Sequence, residues 1–172
     1  MVVGFDPSLS NFGVAYLIEN KLHLLTFDLL GAIDWIRDNY EQFEEVVTEC
    51  NLTGGTFVNK HPKESLKRYA ARAEDIGKLK AAQQVTQDEL KKLGVKFKRC
   101  QSKNRQRALD RYNKRKPINR LKLHQYLTKT NKQQFKELLE LTDIELQQRR
   151  KNDFGSEHAR DAATLIIYKR AK

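Results

Sequence analysis

Apolar and polar positions divide this chain into short, separable segments. Met1-Val2-Val3-Gly4-Phe5 is an apolar run that ends on Asp6 and passes at once into Pro7-Ser8-Leu9-Ser10-Asn11. An apolar run of that length, closed by turn-forming residues, reads as a buried strand. Residues 11–18 read as a second strand and 21–29 as a third, with Glu19-Asn20 as the hairpin turn between them. Ile33, Ile36, Tyr40 and Phe43 then recur at helical spacing over 31–43. Residues 45–49 form a fourth short strand, and Gly54-Gly55 breaks the pattern after it. Pro62 precedes a long helical stretch, 63–92, whose Ala70, Ala73, Gly77 and Ala81 share one face. Gly94 stops that helix, and 95–99 is a fifth strand. Residues 101–117 are basic and polar, a loop or irregular helix, while 119–127 and 131–150 read as helical. Asn152-Asp153-Phe154-Gly155 breaks again, and Ser156 is placed to cap a final helix, 157–170.

The order β-β-β-α-β-α-β-α predicts an α/β fold: a mixed five-stranded sheet, its first three strands antiparallel, with helices on its faces. The 172 residues suffice for one domain with a real core, so 1–172 is read as a single unit. No apolar run approaches the roughly 20 residues a bilayer span requires. The chain opens on a strand rather than a basic leader. The expected location is therefore the cytoplasm, bacterial or that of a host cell if the protein is viral. Cys50 and Cys100, far apart in sequence, read as reduced thiols rather than a disulfide or metal site.

Charge changes the picture more than composition does. The net charge is +11, but it is unevenly placed. Residues 91–122 hold fourteen Lys and Arg against one acid, a net of +13, whereas residues 1–60 hold three against nine, a net of −6. A basic run is by default a solvated face. One this uniform in sign points instead to a polyanion, and nucleic acid is the expected partner. The segment at about 100–122 is read as its contact, through Lys103, Arg105, Arg107, Arg111, Lys114, Arg115, Lys116 and Lys122.

The acidic half carries the candidate chemistry. Cleaving a phosphodiester requires an activated water and stabilisation of charge on the phosphate, and two Mg²⁺ ions about 4 Å apart supply both. Mg²⁺ takes hard oxygen ligands and keeps several waters, so three or four side chains suffice. Asp6 ends the first strand and Glu49 the fourth, which would lie beside it. His158 and Asp161 are i, i+3 on the last helix, so both can point at one spot. Each has a plainer reading: Asp6 as a turn former, Glu49 as a surface acid, His158 and Asp161 as first-turn helix residues. Asp153 and Glu157 compete for the fourth ligand position. The combination, in this order and beside a basic tract, favours the site.

Those same residues carry a resemblance. Gly4-Phe5-Asp6-Pro7-Ser8 with Asn11-Phe12-Gly13-Val14-Ala15 resembles the opening of RuvC-type Holliday-junction resolvases. Thr48-Glu49-Cys50-Asn51-Leu52 is similar to their second acidic motif, and His158-Ala159-Arg160-Asp161-Ala162-Ala163 to their closing one. The resemblance implies an RNase H-like fold, a homodimer, and Mg²⁺-dependent paired nicking of four-way junctions that leaves 5′-phosphates; the small-residue face of 63–92 is either the dimer contact, as in the family, or a face that packs on the sheet. Mn²⁺ would substitute for Mg²⁺. It makes Asp6, Glu49, His158 and Asp161 the metal-binding catalytic set, with His158 either a ligand or a positioner of water and leaving group. Thr130-Asn131-Lys132-Gln133-Gln134-Phe135 resembles the family's Lys-containing helix start, which makes Lys132 a candidate to contact the scissile phosphate and the DNA or to help activate water, beside its plainer reading as a solvated helix lysine. Ser8 stands where the family has Gly, and Leu52 where many bacterial members have an aromatic, with Phe57 nearby as a substitute. With the extended basic tract, these departures suggest a divergent viral or phage-like relative. The rival readings are a nuclease for RNA–DNA hybrids or flaps, a non-catalytic junction-binding protein on the same fold, and an actin-like phosphate-binding ATPase, which would need two such subdomains.

Overall fold

The computed structural model describes residues 1–50, 64–100, 132–140, 142, 144–147 and 153–170. Strand β1 is Val2–Asp6, β2 is Phe12–Ile18 and β3 is Lys21–Phe27. The β2–β3 turn places Glu19 and Asn20 at positive φ, 48° and 65°. That is the left-handed pair a two-residue hairpin requires. Helix α1, Leu29–Asn39, follows, capped by Asp28, whose Oδ1 accepts from Gly31 N at 2.7 Å. The cap explains why β3 stops at Phe27 rather than 29, and why the helix starts earlier than the apolar spacing alone suggests. A 3₁₀ turn over Tyr40–Gln42 leads into β4, Glu45–Glu49. Helix α2, Leu66–Lys92, is capped by Ser65, and β5 is Phe97–Cys100.

The sheet order is β5-β4-β1-β2-β3, with a sixth strand, β6 (Glu145–Leu146), added beyond β3. β1–β2 and β2–β3 are antiparallel, whereas β1–β4 and β4–β5 are parallel. The five expected strands are therefore present in the expected mixed arrangement. The departure lies in 131–150. Helix α3 runs only over Lys132–Leu139 and β6 follows. Thr142 ends the helix by donating its hydroxyl to Leu139 O, and the Ile144 N–H donates to the same hydroxyl oxygen. Glu145 N and Gln147 N then donate to Asn20 O and Leu22 O, which covers the open edge of β3. Helix α4, Glu157–Arg170, closes the described chain. The segments 101–117 and 119–127, and Leu52 and Phe57, lie outside the described residues.

Strand alternation sorts the core into two layers. Val3, Phe5, Phe12, Val14 and Val46 pack with Ala32, Ile33 and Ile36 of α1 and Leu90 of α2. The rings of Phe12, Trp35 and Phe43 meet Phe5 edge-on. On the other face Ala15, Leu17 and Leu22 pack with Ala162, Ala163, Ile166 and Ile167 of α4 and Phe135 and Leu138 of α3. Two glycines let α4 lie directly on the strands. A Cβ on Gly4 would strike the backbone carbonyl of Ala162, and one on Gly13 the carbonyl of His158.

Helix α2 divides along its length. Ala82, Gln83, Thr86, Gln87 and Leu90 are buried, but no residue from Leu66 to Ala81 is. Ala70, Gly77 and Ala81 are exposed, Ala73 is half-buried, and a Cβ on Gly77 would meet nothing within 4 Å. The small-residue face therefore does not pack on this chain's own sheet. Cys50 and Cys100 are both buried thiols outside any disulfide. Cys100 joins Val47 and Leu165 on the α4 side, whereas Cys50 faces Gln87 on α2. Their side chains lie on opposite faces of the sheet and cannot bridge. No helix among the described residues is long and apolar enough to cross a membrane.

Candidate active site

The site is built where two parallel strands end. The β1–β4 register pairs Val3 with Val46, Gly4 with Val47 and Phe5 with Thr48. Carried one residue on, it sets Asp6 alongside Glu49. Parallel neighbours in register point the same way, so both carboxylates face α4. The carboxyl ends of parallel strands are where open α/β sheets gather their ligands. Across the antiparallel side Asp6 pairs with Gly13. The missing side chain there is what allows His158 of α4 to come down beside Asp6.

The start of α4 is held from several sides. Ser156 Oγ accepts from Ala159 N at 3.1 Å and shares a 2.5 Å hydrogen bond with Thr26 Oγ1, so the expected cap is present and also ties α4 to β3. Gly155 turns at φ +63°, and its N–H donates to Asp153 Oδ1. Arg160, only 7% exposed, donates from Nη1 to Gly155 O at 2.5 Å and folds back along the entering chain. Sequence reasoning missed Arg160. Its signal was a basic residue among the acidic and imidazole groups of that first turn, Glu157, His158 and Asp161.

Asp6, Glu49 and Asp161 are all at least nine-tenths buried, at 7%, 8% and 8% exposure. His158 Nδ1 lies 2.8 Å from Asp6 Oδ2. Burial pushes the Asp6 carboxyl up to about 6, opposed by its hydrogen bond to His158 and reinforced by repulsion from Glu49 and Asp161. The hydrogen bond to Asp6 in turn raises His158, against the effect of its own burial. Three of the predicted groups, Glu49, His158 and Asp161, therefore act on a fourth, Asp6, at one place. Asp6 is the common member, meeting His158 across 152 residues. Glu157 acts on this group through its charge on His158. Asp153 is occupied in the turn before α4. Lys132 opens α3 with an exposed side chain and is not among the groups that act on Asp6. The basic residues Lys103 to Lys122 lie outside the described residues.

Among the described residues no three His, Cys, Asp or Glu side chains are drawn tightly enough together to hold a metal ion as they stand. The donor set fits one in kind. Three buried carboxylates, two of which raise the proton affinity of Asp6 by repulsion, form a concentrated negative site, the environment a hard divalent cation relieves. A cation entering there must draw the acids inward and compete with His158 for Asp6.

No known family profile matches the sequence, and no curated protein matches it. Solved structures do. The chain is similar to Thermus thermophilus RuvC in complex with a Holliday junction substrate, at 12% identity over 99% of this chain and 92% of that one, with a TM-score of 0.52. A second Thermus thermophilus RuvC structure matches at 13% identity over 99% and 93%, with a TM-score of 0.45. The first likeness, at that identity, speaks for architecture alone. With the mixed sheet order and a closing helix laid across β1 and β2, it shows that this chain has the RuvC-type, RNase H-like fold.

Proposed function

We propose that this chain is a divalent-metal-dependent endonuclease that nicks four-way junctions or other branched DNA symmetrically and leaves 5′-phosphates. The observation that carries this reading is the convergence of Asp6, Glu49, His158 and Asp161 at the end of β1. It is supported by the likeness to a RuvC structure that holds a Holliday junction substrate. Asp6, Glu49 and Asp161 would hold Mg²⁺ or Mn²⁺. When bound, such ions activate a water and neutralise charge on the scissile phosphate. Asp6, on which both other acids act, would be the central member of that set. His158, whose side chain is 37% exposed, carries a proton between Asp6 and the solvent side where water and leaving group meet. Lys132 would contact phosphate from the start of α3.

Metal and proton compete for Asp6, which sets the sign of the pH dependence. Metal binds the ionised carboxylate, so the apparent Mn²⁺ affinity of the protein without DNA should fall by up to about tenfold per pH unit below about 6. It should flatten above neutrality, where Asp6 is already ionised. Calorimetric titration at pH 5, 6, 7 and 8 checks this; a flat profile would remove Asp6 from the ligand set.

A homodimer would set two such sites against opposite strands of a two-fold junction. The exposed face of α2, with Ala70, Gly77 and Ala81, is the surface assigned to it. The basic tract supplies affinity without reading sequence. Neutralising Lys103, Arg105, Arg107, Arg111, Lys114, Arg115 and Lys116 together should weaken junction binding. It should also reduce the slope of log affinity against log salt by about 0.9 for each phosphate that the protein no longer neutralises. An unchanged slope would make the tract a bystander. The reading as a whole is tested with labelled four-way junction, linear duplex, flap and RNA–DNA hybrid in Mg²⁺. Paired symmetric nicks on the junction support it. Cleavage of hybrid alone replaces the substrate, and tight junction binding without cleavage replaces the enzyme by a binding protein.

A further inference from the structure

The wall of α2 behind β4 is polar where packing alone requires nothing polar. Gln83, Thr86 and Gln87 are at most 1% exposed. Thr86 satisfies its hydroxyl within its own helix, donating to Ala82 O at 2.8 Å. Gln87 does not turn back on its helix: its Nε2 donates to the Cys50 thiol at 3.2 Å, 37 residues away in sequence. Burying an amide costs free energy that an apolar side chain of the same shape avoids.

Cys50 immediately follows Glu49. Its backbone N–H donates to Cys100 O at 2.9 Å, which pins it along the sheet to β5. Gln87 pins its side chain perpendicular to the sheet. Because neighbouring side chains on an extended chain point to opposite faces, a Cys50 held toward α2 holds Glu49 toward α4 and Asp6. We propose that Gln87 is a positioning residue for Glu49, acting through the Cys50 thiol. This rests on the reading of Glu49 as a metal ligand. Residues that orient a ligand, rather than bind metal, commonly contribute ten- to a hundredfold to affinity.

The test reads metal binding to the full chain without DNA. Mn²⁺ is titrated and followed by electron paramagnetic resonance, with thermal melting alongside. Gln87→Leu should bind Mn²⁺ about tenfold more weakly with its melting temperature unchanged or raised, an outcome that a purely structural role would reverse. Cys50→Ala should weaken binding by the same factor, and the double variant by no more than either single one, because both act on one link. Wild-type affinity in Gln87→Leu, or effects that add, would overturn the proposal. If Gln87→Leu does not fold, Cys50→Ala decides alone, and unchanged affinity there overturns it. Asp6→Asn separates the two levels. Where wild-type binding depends on Asp6 and Gln87→Leu matches wild type, only the positioning role falls. Where the wild type binds no Mn²⁺, the metal-site reading falls and this inference with it.

Discussion

Asp6→Asn is expected to reduce junction nicking by at least about a thousandfold, roughly 4 kcal/mol of transition-state stabilisation, while junction binding persists. The same change should make the metal-free protein more stable, because the wild-type carboxylate is costly where it stands. Asp6 is buried, repelled by Glu49 and Asp161, and pushed from 3.8 to about 6. The folded chain therefore holds a proton there that the unfolded chain releases, and stability falls as pH rises from about 4 through 6. The His158 shift has the same sign: its stabilisation is complete below its ordinary 6.5 and is lost as pH rises through its raised value. Above neutrality the full cost of the ionised Asp6 is on the order of 2–3 kcal/mol, which the neutral amide removes. Melting curves without metal should place Asp6→Asn several degrees above wild type at pH 8, with the difference shrinking toward pH 4. Abolished nicking together with lower stability at pH 8 would mean that Asp6 serves packing rather than chemistry.

Gly13→Ala is expected to destabilise the protein by at least about 3 kcal/mol, and so to lower the melting temperature by about 6–12 °C. A methyl group at Gly13 has nowhere to go. Its Cβ would sit against the His158 carbonyl and 2.7 Å from Ala159 N, both backbone atoms that no rotamer change can move. Helix α4 would have to lift at its first turn, where it delivers His158 to Asp6. Metal affinity should fall with stability, unlike in Asp6→Asn, where the two move apart. Gly77→Ala is the control of opposite sign. Within one chain it lies in open space on a helix, so at concentrations that keep the protein monomeric, narrowing the range of unfolded conformations should gain up to about 1 kcal/mol. A Gly13→Ala protein as stable as wild type would mean that α4 does not depend on that close approach.

Much of this architecture was legible from pattern alone. The run ending in Asp6, the hairpin at Glu19-Asn20, the strand ending in Glu49 and the cap at Ser156 all stand where periodicity and turn chemistry put them. The i, i+3 spacing of His158 and Asp161 put them on one helix face, and both bear on Asp6. A single helix over 131–150 gives way, among its described residues, to a helix and a strand, because their apolar positions suit either a helix or a helix followed by a strand. What separates the two is the open edge of β3, which β6 covers. Sequence spacing also left open what the small face of α2 does; within this chain Ala70, Gly77 and Ala81 on it are exposed.

Local sequence determined the elements and the face each side chain takes, because side-chain direction repeats with a fixed period along a strand or helix. Tertiary structure decided everything that joins distant elements. The β1–β4 register sets Asp6 beside Glu49, the bare backbone of Gly13 admits His158, and Gln87 meets Cys50 across the sheet. The physical reason lies in distance along the chain. These contacts depend on how closely whole elements approach and in what register, and no short window of residues encodes that. The raised proton affinity of Asp6 follows from the same cause, since burial and the nearness of Glu49 and Asp161 exist only once the sheet and α4 have come together.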